Sequence, residues 1–157
     1  MPRMPVHLVI LIALFAGLTA QANEKAPVTI TKTLRHWLDL EGRHTTSPSL
    51  LDRDAYQAHL RDHPEEVSTL RFDLQLRFRT RDRSGYRIQV EIRHGSGSLI
   101  EIFSTETALK PRGKRRSFWN QIPISKKDYQ ALGDIIAWRV TVWEGPTPVA
   151  RDESFLW

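Results

Sequence analysis

The sequence predicts a mainly β protein: a single antiparallel β-sandwich of about seven strands with one inserted α-helix near residues 48–63. Three observations carry that reading. Leu70 to Phe78 and Tyr86 to His94 each alternate apolar and polar residues, with the apolar ones on even numbers. Strands that bury one face and wet the other have this pattern. Shorter runs of the same kind recur before and after them, separated by breaks containing Gly, Ser and Pro. Only Pro48 to His63 has the capping and apolar spacing of a helix several turns long.

Residues 1–22 read as a secretory signal peptide outside the fold. Arg3 supplies the charge, Leu8 to Ala16 the apolar core, and Ala20-Gln21-Ala22 a small-x-small cleavage site. The apolar run is shorter than the roughly 18 residues that a transmembrane helix needs. Residues 23–157 then form one exported domain, periplasmic or secreted, in a bacterial cell envelope. The chain contains no cysteine. That excludes disulfides, thiolate metal ligands, cysteine nucleophiles and a lipidated cysteine, so the apolar core must hold the domain together. With 23 Lys and Arg against 18 Asp and Glu, the formal net charge is +5.

After a leader from Asn23 to Pro27, Val28 to Leu34 is β-branched-rich and alternating, and strand character continues to Leu40 before Gly42 ends it. Arg43 to Ser49 is a polar loop. Ser47 or Ser49 caps the helix, and Leu51, Ala55, Tyr56, Ala58 and Leu60 place its apolar mass on one broad side. Arg61 and His63 suit the negative end of the helix dipole, and Pro64 stops it. Such a helix is expected to cover an end or an edge of the sandwich, where it blocks strand-to-strand aggregation.

Leu70–Phe78 and Tyr86–His94 are predicted to pair as a hairpin across the polar break Thr80 to Gly85. Matching parity sets Phe78 beside Ile88, Leu76 beside Val90 and Asp73 opposite Arg93. Gly95 to Ser98 turns the chain into Leu99–Ser104, where Ile100 and Ile102 share the inward parity and extend the pair to a meander. A loop from Thr105 to Arg116 follows. Phe118 to Ile124 is a strand whose Pro123 points to a sheet edge. Ser125 to Asp128 fits a capping box and Gly133 a C-terminal stop, which frames a helical turn over Tyr129 to Leu132. Ile136, Trp138, Val140 and Val142 line one face of the next strand. After a turn at Glu144 to Thr147, Val149 to Trp157 forms the last strand, its imperfect alternation implying a bulge.

The stretch Leu132 to Val140 resembles the F strand of immunoglobulin-like domains, with Asp134, Ile136, Trp138 and Val140 in the places of the leading aspartate and the alternating inward residues. Val140 stands where antibody-type domains carry cysteine. The resemblance implies an immunoglobulin-like or fibronectin type III-like sandwich and assigns no ligand.

Few residues are arranged for chemistry. His59 and His63 are four apart and share a helix face with Asp62 or Glu65 nearby, but two ligands are too few for a metal, and none is expected. His36 beside Trp37 reads as a strand histidine packed on an aromatic ring, and His94 as an inward histidine with a hydrogen bond. Gly95-Ser96-Gly97-Ser98 lacks the strand-to-helix elbow of a serine nucleophile. The carboxylates interleave with arginine along wet strand faces, as in cross-strand charge pairs. No catalytic residue and no cofactor are predicted. Trp119 and Trp143 fall on the parity opposite to their inward neighbours.

The basic residues are the candidate binding set. Lys110, Arg112, Lys114, Arg115 and Arg116 crowd one loop, and Arg77, Arg79 and Arg87, with Arg71, Arg81, Arg83 and Arg93, gather on or beside the wet face of the expected hairpin. If loop and face meet, they make a positive surface for an envelope protein or an anionic polymer; export argues against genomic nucleic acid. The expected function is a non-catalytic binding or assembly module, without a transmembrane helix once the signal is cleaved. The rival is a small outer-membrane barrel, whose terminal signal the Phe155–Trp157 ending resembles, although the chain is short of spanning strands. An enzyme with an unrecognised site comes third.

Overall fold

A computed structural model describes residues 26–96, 99–110 and 115–157. The expected signal peptide, and Arg112 and Lys114 of the basic loop, lie outside the described residues. Among the described residues, seven strands build two antiparallel sheets. Strands β1 (Val28–Asp39), β2 (Val67–Phe78) and β5 (Ser117–Ser125) form one, in the order β1-β2-β5. Strands β3 (Tyr86–Ser96), β4 (Leu99–Ala108), β6 (Asp134–Glu144) and β7 (Thr147–Glu153) form the other, in the order β4-β3-β6-β7. This is the expected sandwich. Helix α1 (Leu50–Asp62) is inserted between β1 and β2, and the short α2 (Lys126–Leu132) between β5 and β6. No helix among the described residues is long and apolar enough to cross a membrane.

The parity reading of the two long strands holds, but their pairing does not. Leu70, Phe72, Leu74, Leu76 and Phe78 of β2 and Tyr86, Ile88, Val90 and Ile92 of β3 are all buried. Yet β2 pairs with β1 and β5, and β3 with β4 and β6. The segment 79–85 crosses from one sheet to the other instead of turning a hairpin. Alternation states which face of a strand is dry, not which strand lies beside it. Here the two dry faces look at each other across the core, and Phe78 meets Tyr86 edge-on with ring centroids 5.1 Å apart. Asp73 accordingly has Leu34 and Gln121 as its neighbours across the ladder, not Arg93.

Two local parities also shift. Ile100 and Ile102 of β4, expected inward, are 60% and 57% exposed. The β3–β4 hairpin closes at Ser96 and Leu99, so two residues connect the strands and an even residue of β3 faces an odd one of β4, as Ile92 faces Phe103. In β6 the register slips between Arg93, which faces Ala137, and His94, which faces Ile135. The extra residue is Ile136, 39% exposed rather than inward, while Val140 and Val142 are buried as expected. Trp138 packs edge-on against Phe72 at 5.9 Å. The bulge expected in β7 falls at Val149, between Pro148 and Ala150. The strand ends at Glu153 rather than at Trp157.

The free edges are managed in the ways the sequence suggests. β5, with Pro123, pairs only with β2. At Trp37 on the edge of β1, the Gln57 side chain of α1 acts as a surrogate strand. Its Oε1 accepts from the Trp37 N–H at 2.9 Å and its Nε2 donates to the Trp37 carbonyl at 2.8 Å. The helix is capped by Ser49, and of its apolar residues only Leu60 is fully buried; Leu51 is exposed. Gly95 is dictated by close approach, because a Cβ there would lie 2.1 Å from the Leu99 carbonyl oxygen.

Candidate functional site

The predicted basic residues do not form one surface. Arg77 and Arg79, at the end of β2, share a hollow of about 580 Å³ with Arg116, Thr29, Thr31 and Ser117. The backbone there is pinned by the Phe78 N–H on the Arg116 carbonyl (2.8 Å) and the Arg79 N–H on the Pro27 carbonyl (3.0 Å). Arg115 is exposed nearby. Lys110 lies instead along β5, in a groove with Arg71, Trp119 and Gln121. Arg87 belongs to the opposite sheet, where it pairs with Glu106 at 2.8 Å and stacks on Trp143 at 4.8 Å. Arg83 is a correction: far from the wet face, it is 6% exposed, its guanidinium set over Phe78 and Phe118 and donating to the Arg115 carbonyl. It plugs the end of the core.

A second basic site lies at the other end of β1, and sequence reading passed over it. Arg35 and Trp37 are two apart on β1, so they project from the same face. α1 brings Arg61 to this place and β6 brings Trp138. The Arg35 guanidinium sits 5.6 Å from the Trp37 ring and 5.8 Å from that of Trp138, and Arg61 sits 5.3 Å from Trp37. These four residues stand where two concavities meet. One, of about 490 Å³, continues past Tyr129, Ile136 and Phe155. The other, of about 540 Å³, runs between β1 and α1 past Lys32, Arg53 and Gln57. Neither Arg35 nor Arg61 makes an ion pair with an acid among the described residues. Desolvation and the neighbouring Arg61 charge both lower the Arg35 pKa. Two like charges held together on indole faces, facing open clefts, are arranged to receive an anion and a flat or apolar group beside it.

The helix that carries Arg61 is tied to the end of β1 through Asp39. Its carboxylate accepts from the Tyr56 hydroxyl of α1 (2.7 Å), from the Glu41 and Arg43 backbone N–H groups (2.9 and 2.8 Å) and from Arg43 Nε (2.9 Å). Desolvation alone would raise its pKa, but these hydrogen bonds outweigh burial and bring it down to about 2. Helix and strand are thereby locked together on either side of the cleft.

His36, expected against an aromatic ring, meets His44 at 4.7 Å between ring centroids and places Nδ1 2.9 Å from Asp73 Oδ2. Arg71 grips both oxygens of the same carboxylate at 2.8 and 2.9 Å. The Asp73 pKa is lowered, since His36 and Arg71 together outweigh desolvation, and that of His44 is lowered by burial and by His36 and Arg71. An Asp–His pair can serve a nucleophile, but no hydroxyl among the described residues is hydrogen-bonded to His36. His94 is tied to the Leu132 carbonyl at 2.7 Å, the hydrogen bond expected of it.

Comparison with protein-family models, with curated proteins and with solved structures finds no match to this chain.

Proposed function

We propose that the protein is a non-catalytic binding module of the bacterial cell envelope, exported by its N-terminal segment, that holds an anionic partner in the cleft formed by Arg35, Arg61, Trp37 and Trp138. The partner is an acidic segment of an envelope protein or an anionic polymer. The observation carrying this reading is the pair of adjacent arginines stacked on tryptophan without an acid partner among the described residues. Other arginines of the molecule carry an acid: Arg71 has Asp73, Arg139 has Glu91 and Arg43 has Asp39. Leaving two cations together is unfavourable unless something anionic relieves it. The hollow of Arg77, Arg79 and Arg116 supports the same reading as a secondary contact at the far end of β1. A closed barrel is a poor fit to two separate sheets.

The test is binding of a sulfated or uronate oligosaccharide and of an acidic peptide, followed by tryptophan fluorescence and calorimetry. Replacing Arg35 and Arg61 together by Ala should weaken the favoured ligand on the order of 100-fold, from about 1.5 kcal/mol per charge-assisted contact. Equal binding by the double variant would remove the cleft from the account. Loss only on replacing Arg77, Arg79 and Arg116 would move the site to the hollow.

A further inference from the structure

The last turn of α1 and the residues after it carry a different kind of site. The His59 and His63 rings lie 4.3 Å apart between centroids, tilted by 36°, on the helix face their spacing dictates. Pro64 then folds the chain into a single 3-10 turn, Pro64–Glu66, which returns Glu65 and Glu66 to the same place. His59 Nε2 lies 2.9 Å from Glu66 Oε2, and His63 Nδ1 lies 3.2 Å from Glu65 Oε1. One ligand atom each from His63, Glu65 and Glu66 falls within 4.8 Å of the others. All four side chains are exposed and have room to adjust. The turn thus doubles the two ligands that the helix spacing alone supplies.

We infer that His59, His63, Glu65 and Glu66 form a binding site for a divalent transition-metal ion of the zinc type. Two imidazoles and two carboxylates are the donor set of a borderline cation, which prefers nitrogen and oxygen at about 2.0–2.2 Å in a tetrahedron. The charges balance, two carboxylates against two positive charges. The site also sits at the C-terminal end of α1, where the unpaired carbonyls favour a cation. His59 already contacts Glu66 and His63, so it joins as the fourth ligand by a side-chain rotation. Lys126 is the competing charge: its Nζ reaches the Glu65 backbone carbonyl at 3.3 Å and leaves the Glu65 carboxylate free of it.

Tag-free protein titrated with ZnCl2 in a calorimeter should bind one equivalent, and Zn2+ should raise the thermal midpoint. His63→Ala and Glu66→Gln should each weaken binding at least tenfold and shrink the thermal shift. Lys126→Met should tighten binding. The double variant His36→Ala/His44→Ala, which removes the other close histidine pair, should bind Zn2+ as the parent does. Because His63 and Glu66 are exposed, the variants are expected to fold, and circular dichroism verifies that. If His63→Ala failed to fold, His63→Gln with Glu65→Gln would replace it. Absence of Zn2+ binding, binding undiminished in the His63 and Glu66 variants, or a preference for Ca2+ over Zn2+ would overturn the assignment.

Discussion

The outer face of the four-stranded sheet and the end of the sandwich under α1 are both rich in arginine and tryptophan, yet they differ in what completes each arginine. On the sheet face, Arg87 pairs with Glu106, Arg139 with Glu91, and Arg93 and Arg139 both stack on Trp157 at 4.5 and 4.3 Å. Under α1, Arg35 and Arg61 have the indole faces without the carboxylates. The first region is the more finished surface, with Arg87 and Arg139 neutralised within the chain and Arg93 left to the Trp157 ring. The second is satisfied only halfway. Counting arginines in a sequence cannot separate the two; asking which have an acid within reach does.

The largest effect expected of any change in this comparison is at Trp37. It is 7% exposed and belongs to the core as well as to the cleft. Trp37→Ala should cost about 3–5 kcal/mol of stability by the usual range for large aromatic deletions, measured by urea denaturation, and should remove ligand binding with it. Next comes the lock on α1. Tyr56→Phe should cost about 1.5–3 kcal/mol, the worth of a hydrogen bond to a charged group, and should weaken binding through Arg61 without touching the ligand.

The same lock sets a pH dependence. Asp39 has a folded pKa of about 2, below the roughly 3.9 of an unfolded aspartate. Its contribution is therefore complete above that unfolded value and is lost as pH falls toward 2. Denaturation curves of the parent should show that loss between pH 4 and pH 2, and Asp39→Asn should lower stability at pH 7 and flatten the acid limb. The smallest effect is on the finished surface. Arg87→Ala or Arg139→Ala should change stability by about 0–1 kcal/mol and leave anion binding intact. A large loss of binding there would reverse the comparison.

Much of the fold was legible because alternation and capping are local. Ser49, Ser125, Gly133 and Pro123 mark boundaries by their own backbone chemistry, and the even-numbered residues of β2 and β3 announce a buried face. Partner choice was not legible. Nothing within Leu70–Phe78 distinguishes lying beside Tyr86–His94 from facing it across the core, since both satisfy the same parity. Ile100 and Ile136 were misplaced because the even-to-odd register of β3 with β4 and a one-residue bulge in β6 each invert parity at a point that side-chain hydropathy does not record. The Arg35 cleft escaped for a related reason. Its members come from β1, α1 and β6, and only Arg35-x-Trp37 is visible as a local motif. The basic loop drew attention by density alone, and density says nothing about partners.

The crossing at 79–85 bears on how the chain reaches this state. β3 with β4 and β6 with β7 are neighbours in sequence and can zip early through short closures. β2 has the preceding β1 on one side, Leu74 beside Thr33, but on the other side Leu74 waits for Asn120, some way downstream. Its most apolar stretch stays unpaired on that side until β5 has emerged, and closing so long a loop slows the search. A segment left open for that interval is the one a chaperone would grip, and the one from which misassembly would start.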